Sequence, residues 1–257
     1  MKHKTNRDKA GFTRIELIVV IVAIAFVGTL LALSLAPRPH GRSSGSISCA
    51  SILREAGTAY RLWSDDNGNR NPYEQTVANG GWKDLLTNAD QGANCWTNYA
   101  IMQNELGQAP KLVICPKDKR VAAASFTSNF DNTHISYFVG VSANDNYPQS
   151  ILGGDRNLGP GPKPDPDYGF SPKSGKGNDV AIPLNSSNSA FAWSLKMHSI
   201  YVDNTSDGAG NILLADGSAQ LVSSAAFNRD WLPNAAGTNN WPAGHIPATP
   251  SIRLVFP

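Results

Sequence analysis

Residues 17–36 form an unbroken run of 20 positions without a charge, behind a leader that carries Lys2, Lys4, Arg7 and Lys9. The run lacks the 3.6-residue alternation of a helix that lies half-buried on a protein core. At 1.5 Å per residue a helix of that length reaches about 30 Å, the thickness of a bilayer core. The pattern therefore predicts one transmembrane helix. The basic leader outweighs Arg38 and Arg42 on the far side. This bias places the N-terminus in the cytoplasm and the bulk of the chain outside.

Beyond the run, Pro37, Pro39, Gly41 and Gly45, with Ser43, Ser44 and Ser46, predict a hinge over residues 37–46. Ile52, Ala56, Ala59, Tyr60 and Trp63 recur at helical spacing and predict a second helix over residues 47–64. Short helices are expected over residues 82–86 and 98–106, and a short strand over residues 111–115, stopped by Pro116. Residues 144–187 are rich in Gly, Pro, Asn and Asp, with Pro160, Pro162, Pro164 and Pro166 in alternation. They read as an exposed insertion rather than a core strand. Within them, Gly153-Gly154-Asp155-Arg156-Asn157 reads as a turn without the lysine and hydroxyl of a phosphate loop. Ile182, Leu184, Phe191, Trp193, Leu195 and Met197 support strands, and Ile252, Leu254, Val255 and Phe256 form a last apolar group.

The clearest local signal is a hairpin at Asp216-Gly217. A two-residue turn there pairs Ala215 with Ser218, Leu214 with Ala219 and Ile212 with Leu221. That register puts Ile212, Leu214, Ala219 and Leu221 on one face, with Ser218 and Gln220 opposite. Asp216 and Gly217 are thus read as a structural turn, not as catalytic residues.

Composition changes little of this picture. The net charge of +2 belongs to the leader: without residues 1–11 the chain keeps 18 basic against 19 acidic residues. No basic face remains for a nucleic acid. The roughly 220 exported residues suffice for one sizeable domain or a core with large insertions. Cys49, Cys95 and Cys115 permit one disulfide and one free thiol. The sequence does not select the pair. Cys49 with Cys115 is preferred because both lie near elements expected to approach, whereas Cys95 sits in a turn-rich stretch. Their spacing gives no zinc knuckle. His40, His134, His198 and His245 are scattered, and no nucleophile–base constellation or metal set emerges. No cofactor is expected. The densest candidate is calcium at Asp65-Asp66-Asn67-Gly68-Asn69, which lacks the terminal glutamate of a full calcium loop and also reads as a polar helix end; Asp203, Asp207 and Asp216 are a second acidic set that folding can bring together, and the sequence singles out neither. The six tryptophans are read as core residues before any sugar platform. An enzyme is not expected.

The N-terminal junction is the most specific feature. Gly11-Phe12-Thr13-Arg14-Ile15-Glu16 precedes the apolar run, whereas the cleavage site of a secretory signal follows it. Pro37 opposes such a cut after Ser34-Leu35-Ala36. Glu16 is a carboxylate at the membrane edge, where it needs water, a partner or a proton. A cut after Gly11 leaves an amine on Phe12 one helical turn away, within reach of a neighbouring copy's Glu16.

Residues 11–21 resemble the prepilin-type N-terminal cleavage and methylation motif of type IV pilins and type II secretion pseudopilins. The resemblance implies cleavage after Gly11 by a prepilin peptidase, methylation of Phe12, and a role for Glu16 in subunit assembly. Arg14 departs from the family's usual apolar residue. Ile47–Cys49, Leu53–Gly57, Tyr60–Gly68, Cys115–Asp118, Ser136–Gly140 and Gly210–Ser218 are similar to segments of large pseudopilin-like proteins of the planctomycete and verrucomicrobial kind. Many of those carry a histidine, nine intervening residues and then Asp-Gly. Here that position is Ser206, so no role is carried over to His198.

The implied fold is α+β: a transmembrane helix and pilin-like helix, then an antiparallel β-sheet domain with long loop insertions. The implied organisation is a leader at 1–11, a membrane helix at 12–36, a hinge at 37–46 and an exported domain at 47–257, interrupted at about 144–187. The expected protein is a single-pass inner-membrane subunit of a secretion pseudopilus or related filament. Its expected partners are the peptidase, other subunits and the assembly machinery. The alternative is a monomeric membrane-anchored binding domain that uses a pilin-like export signal.

Overall fold

A computed structural model describes residues 14–35, 44–87, 94–161, 168–183, 191–202, 205–232 and 251–257. The leader, Gly11 and Phe12, hinge residues 37–43, and Pro162, Pro164 and Pro166 lie outside them. The chain divides into two compact units, Met1–Gly41 and Arg42–Pro257.

The first unit contains helix α1, Arg14–Leu35, with Glu16 in its first turn. Its side chains are described through Val27, and they are exposed. Among the described residues no helix is long and apolar enough to cross a membrane.

The second unit is α+β, with a seven-stranded antiparallel sheet. Helix α2, Ser44–Asp66, packs on it through Cys49, Leu53, Ala56, Tyr60 and Trp63. Their alternating spacings of four and three keep them on one stripe. The helix starts within the expected hinge, because Ser44–Ser46 are already helical. It ends where Asn67 Nδ2 donates to Trp63 O at 2.7 Å. Asn67 therefore serves the polar helix end, and Asp65 and Asp66 stay exposed. Helix α3, Cys95–Ile101, and several 3₁₀ turns cover the same side. Residues 98–106 are thus helical only to Ile101. Residues 83–87 form a 3₁₀ turn. The expected strand at 111–115 is instead a 3₁₀ turn at Pro110–Val113, consistent with Pro110 at its first position, where no amide is needed.

The strands are β1 (Tyr137–Gly140), β2 (Ile151–Asp155), β3 (Leu158–Pro160), β4 (Asn178–Pro183), β5 (Phe191–Trp193), β6 (His198–Val202), β7 (Thr205–Leu214), β8 (Ala219–Ser223) and β9 (Ser251–Phe256). The main sheet runs β4-β9-β1-β2-β7-β6, and β8 also pairs with β7. Strands β3 and β5 form a separate pair. One face of the main sheet packs Tyr137, Val139, Leu213 and Val255 against α2 and its neighbours. The other face packs Phe138, Ile212, Leu214, Leu254 and Phe256 with Trp193 and Phe227. Phe138 stacks on Trp193 with ring centroids 6.4 Å apart, and Phe227 meets Trp193 edge-on at 5.3 Å.

Two expectations are corrected here. Strand β2 is fully buried and central, although it lies in the stretch read as an exposed insertion. Its glycines make room rather than a turn. A Cβ on Gly154 would come within 2.6 Å of the Phe138 ring and 2.8 Å of Asn211 O. The hairpin is also shifted by one residue: Leu213 faces Ala219 and Ile212 faces Gln220. Leu214 N donates to Ser218 O at 2.9 Å, and Gly217 N donates to Leu214 O at 2.9 Å. The loop is therefore the three residues Ala215, Asp216 and Gly217, with Gly217 at φ 82°. Asp216 Oδ1 accepts from Ser218 N at 2.8 Å and holds the turn. An added Cβ on Gly217 would touch nothing within 4 Å, so only backbone strain is at stake. Gly217→Ala is expected to destabilise the chain by about 1 kcal/mol in urea unfolding. Unchanged stability would contradict the left-handed turn.

Candidate functional site

The register of β7 creates the main concentration of buried polar groups. Ala209 pairs with both His198 of β6 and Ser223 of β8, so β6 and β8 occupy opposite edges of β7. Strand β2 pairs with Ile212, Leu213 and Leu214 on the edge away from β8. Strands β2 and β6 thus follow one another along the same edge. The interval between them leaves backbone groups of β7 to be satisfied by side chains.

Asp155, Arg156 and Asn157 fill that interval, and all three are buried. Asp155 Oδ2 accepts from Asn211 N at 2.6 Å and from Asn211 Nδ2 at 2.7 Å. Asn157 Nδ2 donates to Ser194 O and Ala209 O, each at 3.0 Å. His198 Nε2 lies 3.3 Å from Asp155 Oδ2, 3.4 Å from Asn211 Nδ2 and 3.4 Å from Cys115 Sγ. Tyr137 pairs with Asp155 across the strands. Cys115 is joined to Cys49 of α2, so a disulfide roofs this polar row. Cys95 is the free thiol, buried with its Sγ 3.6 Å from Tyr137 O, and burial pushes its pKa up. Burial also raises the Asp155 pKa, against the opposing effects of His198 and of the Asn211 hydrogen bonds.

Arg156 turns to a second cluster. Its Nε and Nη2 bind Asp118 Oδ2 and Oδ1 at 2.6 and 2.7 Å. Ser136 Oγ donates to Asp118 Oδ2 at 2.8 Å. The Tyr168 ring lies 4.1 Å from the guanidinium. Both charged side chains are sealed from solvent. Burial raises the Asp118 pKa, but the Arg156 hydrogen bonds and charge outweigh it and hold the carboxyl below its ordinary value. Arg120 closes the cluster by donating to Asn132 O, Ile135 O and Pro172 O at 2.5, 2.7 and 3.1 Å. Burial, then the Arg156 charge, lowers its pKa to about 10.

This arrangement holds strands and loops together, and its geometry does not fit acid–base relay. A relaying histidine contacts its carboxylate and its nucleophile through different ring nitrogens. Here Nε2 faces Asp155, Asn211 and the Cys115 sulfur alike, and the sulfur is bonded to Cys49. His134 is a separate surface group, 3.0 Å from Asp131 Oδ1. An open pocket of about 480 Å³ carries Arg70, Tyr73, Glu74, Lys83 and Arg253, with no serine, cysteine or histidine in its lining. Its Tyr73 hydroxyl donates to Ala143 O, and its Arg253 pairs with Asp179. Trp63, Trp82 and Trp193 are buried in the core.

Of the residues singled out in the sequence, Asp216 and Gly217 form the turn, and Glu16 lies at the start of α1. Gly11, Phe12, His40, Asp203 and His245 lie outside the described residues. Asp118, Asp155, Arg156, Asn157 and Asn211 were not read as a set. The available signal was three polar residues set between Leu152 and Leu158, behind two glycines. No family model matches the chain, and neither a curated protein nor a solved structure matches it.

Proposed function

We propose that this chain is a structural, pseudopilin-like subunit of a type II secretion or related filament. A prepilin peptidase cuts it between Gly11 and Phe12 and methylates Phe12. One observation carries the reading beside the N-terminal motif. From Ile15 to Val27 every Leu, Ile, Val and Phe of α1 is between 46 and 74 % exposed. Leu17–Val22 are consecutive, so this surface passes through more than a full turn and leaves no covered face. Apolar area left in water costs about 25 cal/mol per Å². Lipid, or like helices packed together, removes that cost. The sequence extends the uncharged run to Ala36, the length of a membrane crossing.

In this reading α1 inserts in the inner membrane, with the leader cytoplasmic and the α+β unit extracytoplasmic. Assembly machinery then stacks the helices, and the exported units set lateral contacts with other subunits. The role is structural rather than enzymatic in this reading: the densest polar cluster is buried, and its His198 faces a sulfur already bonded to Cys49. A second reading, a monomeric anchored binding domain, is favoured by the division between Gly41 and Arg42. The two separate in a crosslinking experiment with V20C in membranes. Assembly predicts α1–α1 crosslinks that appear only when prepilin peptidase is present. Processed protein that stays monomeric supports the anchored domain.

A further inference from the structure

The polar row beneath α2 contains more ligand atoms than a disulfide roof requires. Cys49, Cys115 and His198 place their donor atoms within 4.8 Å of one another, and all three residues are buried. Asp155 adds a carboxylate against the same histidine nitrogen. Its Oδ1 is buried with no hydrogen-bond partner among the described residues. We propose that in the reduced chain Cys49, Cys115, His198 and Asp155 form a buried site for a thiophilic divalent cation, with zinc as the fitting ion. Disulfide and metal are then alternative cross-links at one place between α2 and the sheet.

The distances support four-coordinate geometry. Zinc bonds of about 2.3 Å to sulfur and 2.0–2.2 Å to nitrogen and oxygen set the edges of a tetrahedron. Those edges are about 3.5 Å for sulfur to nitrogen and about 3.4 Å for nitrogen to oxygen. His198 Nε2 stands 3.4 Å from Cys115 Sγ and 3.3 Å from Asp155 Oδ2. Two edges are therefore already in place. The movement required is separation of the two sulfurs to about 3.8 Å, with the Asp155 carboxylate drawn in to join Cys49, Cys115 and His198, the three donors that already lie within 4.8 Å of one another. Asn211 holds Asp155 Oδ2 through two hydrogen bonds, the kind of outer partner that orients a carboxylate ligand. Cys95 takes no part, because its sulfur is directed to Tyr137 O.

The chemistry balances with a dithiol as reductant. It gives two electrons and two protons to the Cys49–Cys115 bond and leaves as its own disulfide. The metal then binds both sulfurs as thiolates and displaces their protons to solvent.

The test uses the full chain in detergent, reduced by a dithiol that is removed under anaerobic conditions before Co²⁺ is added. The reduced chain is expected to bind one Co²⁺ with a thiolate-to-cobalt charge-transfer band and tetrahedral visible absorption, both removed by Zn²⁺. The oxidised chain is expected to show neither. C95S should keep the signal, C49S should lose it, and H198A and D155N should each weaken binding at least tenfold. Three results overturn the proposal: a reduced, folded chain without the band; an unchanged affinity in both H198A and D155N; or a reduced chain that unfolds and stays unfolded when metal is added.

Discussion

Arg156→Met is expected to destabilise the chain by about 3–5 kcal/mol, because it leaves a buried carboxylate without its cation. Asp118 takes both ends of the Arg156 fork, and neither side chain meets solvent. Methionine replaces much of the stem's volume but none of its charge. The Asp118→Asn, Arg156→Met double variant should recover much of the loss, since a cut pair costs more than an absent one. Urea unfolding of the full chain in detergent measures both. The pH dependence has a definite sign. In the parent, Asp118 has a lowered folded pKa, so its contribution is present above the unfolded carboxyl pKa and fades as pH falls through the folded value. In Arg156→Met, burial acts unopposed by that charge, and protonation then favours the folded state. The deficit should therefore shrink on moving from neutral to mildly acid pH. A single variant within 1 kcal/mol of the parent at pH 7 would show that the pair does not organise this region.

Glu16→Ala is expected to leave membrane localisation intact and to reduce incorporation into filaments at least tenfold. The apolar run does not need the carboxylate to insert, and removing a charge from the membrane edge eases insertion. Assembly makes a different demand in the proposed mechanism. The new amine of Phe12 on one subunit pairs with Glu16 of the next and fixes their axial register. Cleavage must be followed in the same cells, because an unprocessed chain has no such amine. A fully processed E16A protein that enters filaments at the parental level would remove the charge-register mechanism. Glu16→Asp, which keeps the charge and shortens the reach, should fall between the two.

The sequence was most legible where one physical requirement dominated. The uncharged stretch after Glu16 shows as helix α1, and the apolar spacing near Trp63 shows as α2, although the buried stripe runs through Cys49 and Leu53 rather than Ile52. The register of β7 and β8 was not legible, because β7 is buried on both faces. Ile212 and Leu214 enter one core while Leu213 enters the other, so alternation offered no basis for choosing a face. Strand β2 was hidden for a related reason. Gly154 reads as a turn residue in isolation, and its purpose appears only when the Phe138 ring is laid over it. Asp155, Arg156 and Asn157 looked like loop chemistry because their partners, Asn211, Asp118 and Ala209, are 38 or more residues away in the chain. The cysteine pair was open from spacing alone. It closes between Cys49 and Cys115 because α2 lies across the sheet beside the turn that carries Cys115.

The central claim is that the N-terminus is a processed assembly segment, and the mass of the mature N-terminal peptide tests it most directly. Protein isolated from membranes of a host with prepilin peptidase should begin at Phe12 and carry one methyl group on its amine. A chain that retains Met1, or one that begins at Pro37, would contradict the account.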